Sequence, residues 1–342
     1  MRQKEKKRIV TIGGGTGHFT LLTAIRKLRE EFPGFDVTAI VAATDSGGSS
    51  GRLRVERGML PPGDINQCLL ALSRSANQEA LIELLRRRFP GTKGKGRLGG
   101  HSVGNFLLTM LVEHTGDFMR GLTGMHHILD VDGEVLPVTL EDVQLCAESE
   151  RGTKYEGEAN MDTRGEKALR EGRTPSPLRR VWLNKDVRAH ALVLRRIREA
   201  DTIILGPGDV WTSILPSLLP GGMQEAIASS GAKKILVTNI MTKFGETDGY
   251  DVQHFLAVVE EYLGKGTIDV VLYNDRLLPK QILDRYAKEK RFPVGIANIP
   301  QEGKPQFVGA NLASVSTLAR HHPQKLALAL ENIVHPIFFA TS

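Results

Sequence analysis

The sequence predicts an α/β protein built on a doubly wound, mainly parallel sheet. Short, almost wholly apolar runs such as Arg8–Ile12 (RIVTI) and Asp36–Thr44 (DVTAIVAAT) read as strands buried on both faces. Amphipathic helical stretches alternate with them, as a parallel sheet with crossover helices requires. Glycine-rich turns stand where strand hands over to helix: Gly13–Gly17 (GGGTG), Asp45–Arg52 (DSGGSSGR), Gly99–Asn105 (GGHSVGN) and Gly206–Asp209 (GPGD).

RIVTI opens the sheet. The helix expected over 18–31 carries Phe19, Leu22, Ile25 and Leu28 at helical spacing and is stopped by Pro33-Gly34. The second strand ends at Asp45. Asp64, after Pro61-Pro62-Gly63, is expected to cap a helix reaching Leu72. A helical run from Glu79 to Phe89 leads into a basic, Gly-rich loop, and His101 or Ser102 opens the apolar helix VGNFLLTMLVEH. Residues 131–186 break the rhythm. EVLPVTL, VQLCAES and RRVWL read as strands joined by polar links, a β-rich excursion in which 151–177 is the least ordered part. A helix over 187–199, the strand DTIILG, GPGD, and the strands KKILVTN and IDVVLYN restore the α/β pattern. The chain thus reads as one α/β domain over 1–342, with its core in 8–130 and 187–342.

Of the net charge of +6, the segment Arg2–Arg8 supplies five positive charges and one negative, which leaves only +2 for the rest. A second basic cluster, Arg86, Arg87, Arg88, Lys93, Lys95 and Arg97, reads either as a solvated helix end or as a lid over an anionic ligand. No aromatic residues interleave with these charges, which argues against a nucleic-acid partner. No apolar run approaches the roughly 18–20 residues of a membrane span, and the N-terminus lacks a signal-peptide core. Cys68 and Cys146 lie in apolar patterns without metal-ligand spacing, so a cytoplasmic protein with buried thiols is expected.

Glycine brings a backbone amide close to a ligand, and a helix N-terminus adds unpaired N–H groups with a partial positive charge. Four such turns point to one phosphate-rich ligand. In Gly13, Gly14, Gly15, Thr16 and Gly17 the third small position of a dinucleotide fingerprint is replaced by His18, which disfavours a nicotinamide dehydrogenase but keeps the phosphate turn. Asp45 stands where an acid meets ribose hydroxyls or a hydrated Mg²⁺. Ser46, Ser49 and Ser50 offer hydroxyls beside Gly47 and Gly48, and Arg52 offers a fork for phosphate. Gly63 and Asp64 form a further polar turn. His101 is a phosphate donor or an acid/base group, beside Asn105 and beside Ser102, which alternatively serves only as a helix cap. Gly206, Pro207 and Gly208 shape the next turn. Asp209 there either caps the following helix or meets a metal or hydroxyl, and Ser213 follows. Asn239, Thr242, Glu246 and Thr247, after KKILVTN, complete the ligand-binding set. His126-His127 and His321-His322 read as solvated pairs, and no complete nucleophile–base pair is visible.

Six ordered motifs carry a resemblance: GGGTG, GGSSGRL, PPGD, GHS-GN, GPG-TS-LP-L and N-MT--GETDGY, spread from about Arg8 to Asp251. They resemble the 2-phospho-L-lactate transferase (CofD)-like superfamily, and more closely its gluconeogenesis-factor branch. The resemblance implies a Rossmann-like three-layer fold and a nucleotide-type ligand. In the transferase branch this is a guanosine-linked donor that passes a phospholactyl-type group to a deazaflavin with a divalent metal. In the gluconeogenesis-factor branch it is a UDP-sugar, with control of cell-envelope precursor supply and cell shape. Three positions depart from the pattern: Asp45-Ser46 replaces Asp-Asp, Asn66-Gln67 replaces Arg-Asn, and Asp209 replaces Ser.

The expected function is a regulator that binds a nucleotide sugar such as UDP-N-acetylglucosamine and is linked to central carbon metabolism. The alternative is a metal-dependent phospholactyl-type transferase. No cofactor is required, and Mg²⁺ is expected near Asp45 only with bound nucleotide. A homo-oligomer and a regulated enzyme partner are expected. The ligand diphosphate is placed between GGGTG and GGSSGR with GPGD closing the crevice. Arg52→Ala is then expected to weaken binding about tenfold to a hundredfold, with Arg164→Ala as the inert control.

Overall fold

The computed structural model describes residues 6–74, 79–91, 98–297, 299–314 and 318–339. β1 (Lys7–Gly13) leads through α1 (Gly15–Glu31) to β2 (Phe35–Val41), followed by the helices α2 (Gly48–Arg57), α3 (Gly63–Leu72), α4 (Glu79–Arg86), α5 (Val103–Thr115) and α6 (Phe118–Ile128). β3 (Glu134–Pro137) precedes an excursion made of β4 (Leu145–Ser149), β5 (Lys154–Glu156), α7 (Glu158–Asp162), α8 (Arg164–Arg170) and β6 (Leu178–Leu183). The second half runs α9 (Ala191–Glu199), β7 (Thr202–Leu205), α10 (Met223–Ser229), β8 (Lys233–Val237), α11 (Val252–Leu263), β9 (Val270–Asn274), α12 (Lys280–Ala287) and β10 (Gln306–Ala310). The two-residue strands β11 (Ala313–Ser314) and β12 (Arg320–His321) pair with each other before α13 (Pro323–Phe339).

Seven strands form one sheet in the order β10-β9-β8-β7-β1-β2-β3. Every pairing in it is parallel. The period of two along each strand divides the core between the faces. Phe35, Val37, Ala39 and Val41 of β2 pack with α1, α3, α5 and α13, whereas Ile40 faces the opposite layer with α9, α10 and α11. The result is the expected three-layer, Rossmann-like α/β architecture. Among the described residues no helix is long and apolar enough to cross a membrane.

Two details differ from the sequence reading. β3 is the edge strand of the central sheet, so the excursion begins at β4 and holds a three-stranded antiparallel sheet in the order β5-β4-β6. The segment 151–177 contains β5, α7 and α8. Arg164 is only 6 % exposed there, donates to the Ser176 carbonyl and stacks over the Tyr155 ring at 4.9 Å. Arg164→Ala is therefore a destabilising change and cannot serve as an inert control. Short-range periodicity could not show this, because the partners of Arg164 lie across the excursion.

Candidate functional site

The strand order reverses between β1 and β7, since the chain winds outward from β1 through β2 and β3 and later from β7 through β8 to β10. Ligands of open parallel sheets bind at the carboxyl ends of strands at such a reversal, because the diverging crossovers leave a crevice there. α1 begins beneath it with Gly14 as N-cap, no capping side chain and no acid in its own first turn; the Gly15 amide donates to the Asp64 carboxylate of α3, which leaves the amides of Thr16 and Gly17 for an anion. A Cβ on Gly17 would collide with the carbonyl of Pro207, and one on Gly14 would lie 2.5 Å from Asp64 Oδ2. Gly15 has φ +61° and faces open space.

The crevice has two lobes, of about 350 and 630 Å³, which share Thr16, Thr20 and Arg320. The first lobe gathers Gly14, Gly15, Thr16 and Gly17 with Pro207, Gly208, Asp209, Ser213 and Asn239, and the side-chain Oδ1 of Asn239 accepts from the Gly208 amide at 3.2 Å. The second takes Thr16, Asp45, Gly47, Gly48, Ser49, Ser50, Gly63, Asp64, Ser102 and Asn105. Most of the residues singled out in the sequence thus surround one space, with GGGTG as the ridge between the lobes.

Other residues do not line it. Gly13 closes β1 over the His18 ring, and Gly206, at φ +73°, turns against the Val237 carbonyl. Thr242 Oγ1 accepts from the Phe292 amide at 2.9 Å and Thr247 Oγ1 from the Lys243 amide at 2.8 Å, so both hydroxyls serve the local loop. Ser46 Oγ accepts from the Ala159 amide at 3.0 Å, which ties the excursion to the Asp45 turn. Arg52 donates to the Gly99 carbonyl at 2.8 Å and lines a separate depression with Val55 and Gly100. His101, fully buried, stands behind Ser49.

Caps also fall differently from expectation. Ser102 does cap α5, accepting from the Asn105 amide at 3.2 Å. Asp64 lies inside the first turn of α3 and does not cap it; its carboxylate instead accepts from the Gly15 amide at the start of α1. Asp209 precedes a single π-helical turn (Val210–Ile214) without capping it, and its carboxylate meets Lys243 Nζ at 2.8 Å. Lys243 also reaches Glu246 at 2.8 Å and Asp162 at 2.5 Å. Burial opposes the Lys243 charge, but Glu246, Asp209 and Asp162 outweigh it and hold the ammonium well above its usual range. Those three carboxylates cluster closely enough for a metal, yet the lysine ammonium already fills that role. Glu246, 2 % exposed, is pushed up to about 8 by burial, with Lys243 pulling the other way.

The second lobe concentrates negative charge. Burial raises Asp45, while its hydrogen bonds from the Gly47 amide and Ser50 oppose the rise. Asp64 is pushed up to about 7 by burial and then by Asp45. Glu158 of α7 is raised well above its usual range by burial and by Asp45 and Asp64. The folded-state value of Asp64 exceeds its unfolded value near 4, so its stabilising contribution is complete below about pH 4 and is lost as pH rises through about 7. Asp64→Asn is expected to raise Tm at pH 8 by roughly 2–4 °C and to leave it almost unchanged at pH 4. Scanning calorimetry at both pH values checks this, and equal shifts at the two would contradict it.

The sequence reading missed Glu158, Asp162, Lys243, Tyr286, Arg320 and His321. His321 is no solvated residue. It is 8 % exposed, lines the first lobe, hydrogen-bonds the Thr238 backbone and is pushed down to about 4 by burial. A two-residue strand has no periodic signature, and only its pairing with β11 brings Arg320 and His321 to the crevice. Arg86 and Arg88 of the basic cluster line the second lobe, whereas Lys93, Lys95 and Arg97 lie outside the described residues. His18 is a core residue, pushed down to about 4 by burial and bonded through Nε2 to Thr11 Oγ1 at 2.8 Å.

Residues 9–309 match the family described as 2-phospho-L-lactate transferase CofD. The chain is 38 % identical over 332 residues to a gluconeogenesis factor of Halalkalibacterium halodurans, covering 95 % of this chain and 96 % of that one. It is 36 % identical over 333 residues to the gluconeogenesis factor of Bacillus subtilis, covering 96 % and 99 %. A crystal structure of a UPF0052-family protein from Bacillus halodurans superposes with a TM-score of 0.83 at 34 % identity, covering 96 % of this chain and 99 % of that one. The match over most of the chain shows that it is a member of the CofD-like family, in its gluconeogenesis-factor group.

Proposed function

We propose that the chain binds a nucleotide sugar of the UDP-N-acetylglucosamine class and acts as a cytoplasmic regulator of carbon flow into cell-envelope precursors and hence of cell shape. The observation that carries this reading is the glycine-built start of α1, set at the strand-order reversal between two lobes, with only its first amide taken by Asp64. A diphosphate on that ridge meets the amides of Thr16 and Gly17, while the base and the sugar take one lobe each. The buried Tyr286 ring gives the first lobe an aromatic wall for a base. Arg320, common to both lobes, takes the charge-neutralising role first given to Arg52.

Calorimetric titration with UDP-N-acetylglucosamine tests the reading. A hydrogen bond to a charged group contributes roughly 1.5–3 kcal/mol, so Arg320→Ala should weaken binding about tenfold to a hundredfold. Arg52→Ala, outside the crevice, should change it less than threefold. Equal losses from both variants would move the phosphate site towards α2. Mg²⁺ fits beside Asp45 and Asp64 once a diphosphate supplies further oxygens, because this ion favours carboxylates combined with substrate phosphates.

The paired Asp45 and Asp64 favour a second reading, a metal-dependent transferase of a phospholactyl-type group from a guanosine-linked donor to a deazaflavin. Turnover of those substrates with Mg²⁺ would establish it. Saturable UDP-sugar binding without their turnover favours the regulator.

A further inference from the structure

Ser49 and His101 come from different glycine turns, 52 positions apart, and meet at the wall of the second lobe, which Ser49 lines and buried His101 backs. Ser49 Oγ lies 2.9 Å from His101 Nδ1. The Asn105 carboxamide donates to the same Oγ at 3.3 Å, so the serine's own hydrogen is directed to Nδ1. That assignment makes Nδ1 the acceptor and leaves Nε2 as the protonated nitrogen, buried without a partner among the described residues. Ser49 is the second residue of α2, whose N-cap Gly47 supplies no capping side chain; the Asp45 carboxylate takes the Gly47 amide at 2.8 Å and leaves the first-turn amides of the helix without a cap from Gly47. A nucleophile within hydrogen-bond reach of a base, next to preorganised N–H donors, is the arrangement of covalent catalysis. A helix link alone would not require the hydroxyl to line a ligand-sized space, as Ser49 does.

We propose that Ser49 and His101 form a nucleophile–base pair that cleaves the phosphoanhydride of the bound nucleoside diphosphate sugar, with Ser49 as the transient phosphoryl acceptor. The proposal rests on the nucleotide-sugar reading above. Ser49 Oγ attacks the phosphorus on the sugar side while its proton passes to His101 Nδ1. The Oγ–P bond forms as the bond from that phosphorus to the bridging oxygen breaks, and the electron pair leaves with the nucleoside monophosphate. Water then attacks the same phosphorus and the Oγ–P bond breaks. His101 returns its proton to Oγ, one water proton stays on the sugar phosphate and the other enters solvent. Net consumption is one water per anhydride. Burial first, then Arg52 and Arg88 against Glu56, hold His101 below the ordinary imidazole value, so the base is neutral near pH 7.

The full chain is incubated with UDP-N-acetylglucosamine and Mg²⁺, and binding is followed by calorimetry alongside UMP release. Equal amounts of UMP and N-acetylglucosamine 1-phosphate are expected, and rapid acid quench should leave a phosphosugar adduct on the Ser49 peptide. Ser49→Ala should still bind the nucleotide sugar saturably and release no UMP. His101→Gln should slow release by about a hundredfold or more, and the normal rate should fall as pH drops through the lowered His101 value. If His101→Gln loses its circular dichroism spectrum, Ser49→Ala decides alone. Binding without UMP release, or release by Ser49→Ala at the normal rate, would overturn the proposal and leave the binding reading intact. Absence of binding would overturn both.

Discussion

Lys243→Ala is expected to destabilise the protein by roughly 3–5 kcal/mol, the range for breaking a buried ion pair by removing one partner. Its side chain is 17 % exposed and that of Glu246 only 2 %, so water replaces little of the lost attraction. The loss joins three parts of the molecule, because Asp162 belongs to the excursion, Asp209 to the turn after β7, and Glu246 to the loop after β8. The pH dependence has a definite sign. Glu246 is already pushed up to about 8 in the fold, above its unfolded value, and in the variant it loses the Lys243 cation that pulls the other way. Its contribution is intact below about pH 4.5 and is lost as pH rises through the folded value, so the variant suffers more at pH 8 than at pH 5. Urea denaturation at both pH values measures this, and Glu246→Gln in the Lys243→Ala background should recover part of the loss. A deficit below 1 kcal/mol at pH 8 would mean that the cluster is solvated in solution.

Gly17→Val is the second change with a large expected effect. Any Cβ at this position meets the Pro207 carbonyl, which is backbone and has no rotamer through which to retreat. α1 must then lift from the β7 turn, which costs roughly 3 kcal/mol or more and opens the ridge between the lobes. Nucleotide-sugar binding should be abolished even where circular dichroism reports a folded chain. Gly15→Ala provides the contrast. No atom lies within 4 Å of its Cβ, so the cost is the left-handed backbone at φ +61°, about 1–2 kcal/mol. A Gly17→Val melt no lower than that of Gly15→Ala would contradict the packing argument.

The α/β class, the parallel sheet and the edge that carries the glycine turns were legible because they depend on local regularities. Apolar runs define strands buried on both faces, and a glycine turn after a strand places its amides at that strand's carboxyl end whatever else the chain does. GGGTG, DSGGSSGR and GPGD therefore fell on the crevice. Side-chain assignments within those motifs were less secure. Arg52 shares a motif with Ser49 and Ser50, yet the rotation of α2 turns its guanidinium to Gly99 and away from the lobe.

The tertiary structure alone decided which distant groups meet. Asp64 looks like a helix cap in sequence, and its raised affinity for a proton exists only because Asp45 and the wall of the lobe surround it. Asp162 and Glu158 stand in the segment with the weakest periodic signal, but α7 brings them to Lys243 and to Asp45 with Asp64, respectively. Arg320 and His321 reach the crevice on a strand of two residues, and Ser49 meets His101 across 52 positions. Periodicity records which face of an element is buried. Proton affinity, ion pairing and nucleophile–base contact depend on separations of a few ångströms between elements, and those distances are fixed only when the sheet and its two helical layers have packed.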